Sequence, residues 1–208
     1  MVAASIDITN KPGGFAVSLT LMPETRQATF CVLEAVLGQQ TKPYAAALLS
    51  MPNVVEAEKS AIWTRALVAA FCKAAYGETP TQKDLSDVAR RAATRHHKLS
   101  GLSATIFEIL LNEIYFGGQH TIELSASCLL APYFLLATLL PPASHDDMSR
   151  RSQMERVWSA LEQTWPATAH YQSLEAAFDQ ANLMRLPAAA TAKLRLELLE
   201  CSCGCEST

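Results

Sequence analysis

Apolar and polar positions along this chain repeat mainly at helical spacing. Residues 23–38 place Ala28, Val32, Ala35 and Val36 at that spacing and predict a helix stopping at Gly38, and a second, shorter helix is predicted over 44–50, before Pro52. The clearest long element is 54–76, where Ile62, Leu67, Val68, Phe71 and Cys72 share one side and Gly77 follows as a stop. Thr81 and Asp84 form a Thr-x-x-Asp capping pattern ahead of Leu85, Val88, Ala89 and Ala92, which mark one face of a fourth helix.

After Gly101 a Thr105-x-x-Glu108 pattern predicts the start of a helix that Ile106, Phe107, Ile109, Leu110, Leu111, Ile114 and Tyr115 surround almost completely with apolar groups. Such a helix is buried on most sides. Gly117 and Gly118 break it, and 121–140 continues as apolar structure, with strand-like 121–124 leading into a helix around Pro132. Met154, Val157, Trp158, Leu161 and Trp165 then follow a helical period, as do Tyr171, Leu174 and Phe178. Segment 188–200 mixes strand-like alternation with helix-favouring alanines and is assigned to helix.

The exception to helical spacing lies at the start. Residues 5–21 alternate apolar and polar side chains around the turn formers Asn10, Lys11, Pro12, Gly13 and Gly14, which predicts a β-hairpin. The expected fold is therefore mainly α, an irregular multi-helix domain with an N-terminal hairpin. Residues 1–140 form the hairpin and helical core, 141–147 a connection, 148–200 a C-terminal helical segment packed on the core or forming a small subdomain, and 201–208 a cysteine-rich tail.

Composition agrees with a chain that folds around its own core. Of 208 residues 50% are hydrophobic and 18% charged, with a net charge of −3, a balance unlike that of disordered chains. A positive mean hydropathy, +0.10, hints that some apolar surface is kept for a partner or for self-association. The start lacks the basic and continuously apolar stretches of a secretion signal, and the most apolar window, 127–140, is too short to span a bilayer of about 20 helical residues. A cytoplasmic location without membrane contact is expected.

Three features could carry chemistry. Arg90, Arg91, Arg95, His96, His97 and Lys98 concentrate positive charge and would suit a phosphate backbone or an acidic partner, although cations also favour the end of a helix for its dipole alone. A helix-turn-helix across this region is disfavoured by the expected spacing of the connection and by the apolar second helix. Cys201, Cys203 and Cys205 offer thiolates for zinc or copper, but a tetrahedral zinc site wants a fourth ligand and wider spacing. Cys31, Cys72 and Cys128 stand among apolar residues as core thiols. Trp158 and Trp165 share a predicted helix and are the aromatic pair selected as partner anchors.

The sequence holds no Gly-x-Ser-x-Gly elbow, no Gly-x-Gly-x-x-Gly and no glycine-rich loop ending in Lys-Ser or Lys-Thr. Neither cofactor nor catalytic residue is assigned. The expected function is that of a non-catalytic protein–protein interaction protein: an adaptor, a regulator or a subunit of a larger assembly. An accessory subunit contacting nucleic acid through the basic segment is the first alternative, and an enzyme with a dispersed site the second.

Overall fold

A computed structural model describes residues 20–77, 79–116, 126–140, and 151, 152, 154–156, 158 and 159. The expected hairpin, the strand-like 121–124, the 141–147 connection, Trp165 and the cysteine tail lie outside these residues, apart from Thr20 and Leu21. Helices account for most of the described chain, with no strand among the described residues: α1 (Pro23–Leu37), α2 (Thr41–Leu49), α3 (Val54–Tyr76), α4 (Gln82–Ser100), α5 (Ala104–Phe116) and α6 (Ala126–Leu139). The described residues from 151 to 159 are helical as well.

Local chemistry sets most of these boundaries. Pro23 opens α1 at a position where a missing N–H costs nothing. At α3 the Asn53 side chain accepts the Glu56 N–H at 2.9 Å. The Thr81–Asp84 pair closes a full capping box on α4, with the Asp84 carboxylate accepting the Thr81 N–H at 2.8 Å and the Thr81 hydroxyl accepting the Asp84 N–H at 3.3 Å. Gly101 ends α4 in the left-handed region at φ 61°, where its N–H reaches the His97 carbonyl at 3.0 Å.

α1 ends at Leu37 with Gly38 as its cap, where the spacing predicts a stop; Gly38 itself stays right-handed and the next residue, Gln39, is left-handed at φ 52°. One local expectation needs correcting. Thr105 does not open α5, which is already helical at Ala104, and Glu108 turns to α4, accepting from Gln82 Nε2 at 3.0 Å and Ser86 Oγ at 2.5 Å. Helix pairing overrides the local cap.

α6 lies at the centre, packed against α1, α3, α4 and α5. Ala131, Tyr133, Phe134, Leu135, Leu136 and Ala137 are all buried, so the helix meets protein on all sides, as its unbroken apolar run requires. α1 and α3 cover one flank, and the α4–α5 pair covers another. Met154 and Trp158 join the same core: Trp158 is 0% exposed, its ring stacked on Trp63 at 5.1 Å with 13° between planes and 5.4 Å from Phe30. Trp158 therefore offers no surface to a partner, which corrects its assignment as an anchor. An indole buries so much apolar area that a helical face carrying it closes on the core when aromatic neighbours are in reach.

Candidate functional site

The polar core between α1, α3 and α6 is the feature that helical periodicity missed. Thr25 and Thr29 on α1, Glu56, Ser60 and Thr64 on α3 and Tyr133 on α6 are all buried. Four-residue spacing stacks the α1 pair and the α3 trio on single faces. The Glu56 carboxylate accepts the Met22 backbone N–H at 3.1 Å and the Thr25 hydroxyl at 2.7 Å, and it pairs with Lys59 Nζ at 2.8 Å. Further along, Thr29 and Ser60 share a hydrogen bond at 2.5 Å, and Ser60 and Tyr133 share one at 2.6 Å. The Thr29 and Thr64 hydroxyls also donate to the carbonyls of Thr25 and Ser60.

Burial and this chain of bonds pull in opposite directions on the ionisation of its members. Burial works to raise the Glu56 carboxyl, but the hydrogen bonds from Lys59, Thr25 and Met22 outweigh it and hold the group below its ordinary range. Burial pushes the Tyr133 phenol up to about 12, against the pull of Ser60, Thr64 and Thr29. The Cys72 thiol also rises to about 12 by burial, although Tyr115 and Arg91 oppose this, so it stays protonated and unreactive near neutral pH. Each polar group in the seam is engaged by a neighbour in the fold. That is the chemistry of a structural network.

The basic segment divides between surface and interior. Arg90, Arg91, Arg95, His97 and Lys98 are exposed, whereas His96 is 1% exposed and belongs to the core, so it leaves the expected patch. At about 100° per residue, Arg90, Arg91 and Arg95 fall within an arc of about 140° on the outer face of α4. Arg90 pairs with Asp87, and Arg91 donates to the Tyr76 hydroxyl at 2.5 Å. The α4–α5 connection is only three residues, shorter than the sequence suggested. Yet Phe107, Leu110, Leu111, Ile114 and Tyr115 commit α5 to the core, and its half-buried positions include Glu108 and Glu113, which repel phosphate.

A cleft of about 580 Å³ opens where Cys31, Glu34 and Ala35 of α1 face Gln40, Pro43, Arg151 and Met154. Its polar wall is held internally, since Arg151 reaches Gln27 Oε1 at 2.9 Å, Glu155 Oε1 at 3.2 Å and Glu34 Oε1 at 3.3 Å. Elsewhere, Arg65 and Glu113 pair at 3.7 Å between α3 and α5. Among the described residues no group of three histidine, cysteine or acidic side chains is placed to hold a metal ion, and no helix is long and apolar enough to cross a membrane.

Large apolar side chains surface together at the corner between α2 and α3. Leu49 is 86% exposed, Val54 71% and Val55 49%, all within seven consecutive residues. Met22 is also exposed, and its bond to Glu56 holds it beside the first turn of α3. No family model, curated protein or solved structure matches the chain.

Proposed function

We propose that this chain is a non-catalytic interaction protein, an adaptor, regulator or subunit of an assembly, whose contact surface is the α2–α3 corner. The observation that carries this reading is the exposure of Leu49, Val54 and Val55 within seven consecutive residues. Single exposed apolar residues are ordinary, but a cluster at one corner is surface that association would remove from water. The buried seam supports the reading too, because it fixes the corner: Glu56 ties the start of α3 to the start of α1.

The test compares the wild-type chain with a Leu49→Asp/Val54→Asp double variant, both used as bait in extracts of the native host and both followed by light scattering. A stoichiometric partner, or a dimer, that the wild type forms and the variant loses at unchanged melting temperature supports the reading. Equal recovery by both baits, or a wild-type chain that stays alone, defeats it.

The exposed arginines of α4 favour a second reading, an accessory contact to nucleic acid beside the protein interface. Under that reading, replacing Arg90, Arg91 and Arg95 by Ala weakens binding and flattens its salt dependence, by about 0.9 in logarithmic slope for each duplex phosphate that is no longer neutralised. An unchanged slope removes it.

A further inference from the structure

α4 is interrupted near its end by a single residue. At His96 the backbone leaves helical geometry, with φ −110° and ψ 15°, before a last turn that Gly101 closes. The residue at the break is buried, while Arg95, His97 and Lys98 around it face solvent. The His96 ring lies 5.7 Å from the Phe134 ring of α6, and neither of its nitrogens has a hydrogen-bond partner among the described residues.

Among the described residues, the groups placed near this ring are aromatic, amide or cationic. Arg95 is the charge acting on it from its own helix. α6 presents Phe134, and α2 presents Tyr44, whose ring meets the same phenylalanine at 5.8 Å. The carboxylates of α5 are engaged elsewhere, Glu108 with Gln82 and Ser86, and Glu113 with Arg65. α3 meets α4 at Tyr76 beside Arg91, and from the α1–α2 corner the Gln39 amide donates to the Arg95 carbonyl at 3.3 Å. Burial first, and Arg95 second, push the imidazole down to about 4. A ring released to water returns to an ordinary value of about 6.5, so protons bind the opened form in preference to the closed one.

We propose that His96 is a proton-sensitive hinge, whose protonation expels the ring from its contact with Phe134 and frees the last turn of α4, which carries His97 and Lys98. The device does not depend on what the chain binds. With the two values above, opening gains about 20-fold between pH 7 and pH 5.

Amide hydrogen exchange of the full chain, read by NMR at pH 7 and pH 5 and corrected for intrinsic rates, tests this. The Gly101 amide, which bonds the His97 carbonyl, is expected to lose about 20-fold in protection, while amides in the middle of α3 hold theirs. In His96→Leu, which cannot take up the proton, that loss is expected to vanish. The same loss in His96→Leu, no loss in the wild type, or global loss that includes α3 overturns the proposal. The His96 ring titration in the wild type decides independently of how the variant folds: a midpoint well below 6.5 is expected, and one at or above it is fatal.

Discussion

The carboxylate of Glu56 accepts the backbone N–H of Met22, the residue that caps α1, and does so from the third position of α3. One negative charge thus stands at the N-termini of two helices, where both dipoles favour it and where it also takes the hydroxyl of Thr25. In an ordinary capping box the acceptor comes from the same helix. Here α3 supplies it to α1, which joins helix initiation to tertiary packing.

Removing that charge is costly. Glu56→Ala removes the carboxylate that Lys59, the Met22 N–H and the Thr25 hydroxyl share and is expected to destabilise the fold by about 3 kcal/mol, measured by urea denaturation at pH 7. Glu56→Gln keeps the shape and is expected to cost less. Because the folded carboxyl ionises below its ordinary value, its contribution is complete above about pH 4.5 and is lost as pH falls through the folded value. Equal stability of wild type and Glu56→Ala at pH 7 contradicts this.

The Ser60–Tyr133 bond links α3 to α6 inside the core. Tyr133→Phe and Ser60→Ala are each expected to cost about 1–2 kcal/mol, and the double variant less than their sum, because the second change removes a group already orphaned by the first. Strict additivity in denaturation experiments speaks against a shared bond.

Among the described residues from 151 to 159, Trp158 is fully buried in the core. Its face-on contact with Trp63 and its neighbour Phe30 predict a loss of about 3–5 kcal/mol for Trp158→Ala, again by denaturation. A cost under about 1 kcal/mol, the range of surface substitutions, contradicts the packing.

Among the described residues two glycines with positive φ, Gly77 and Gly101, separate backbone strain from crowding, since a Cβ at either meets nothing within 4 Å. Gly101, at φ 61° and ψ 4°, is in a region that side chains tolerate with difficulty, and Gly101→Ala is expected to cost about 1 kcal/mol. Gly77, at φ 94° and ψ −177°, occupies a region almost closed to other residues, so Gly77→Ala is expected to cost more, about 2 kcal/mol. The order of the two melting temperatures checks this.

Helix positions were legible in the sequence because they depend on neighbours within a turn. The Thr81–Asp84 box, Gly77 and Gly101 act over one to four residues, and they mark the ends of α3 and α4 where they fall. The same period placed Leu85, Val88, Ala89 and Ala92 on one buried face. Thr25, Thr29, Glu56, Ser60 and Thr64 also repeat at helical spacing, and that polar stripe was the available signal of the seam.

What the stripe could not reveal is its direction. A hydroxyl or carboxylate enters a core only if acceptors and donors wait there, and Tyr133 is 73 residues from Ser60. The same holds for His96, whose place in a basic run suggested solvent, and for Trp158, whose size suggested a surface anchor. Sequence determined where most of the helices lie, and fixed the end of α3 and both ends of α4, through interactions spanning a single turn. Only tertiary packing decided which polar and aromatic groups lie inside, because the free energy of burying each depends on partners that the chain brings together from distant segments.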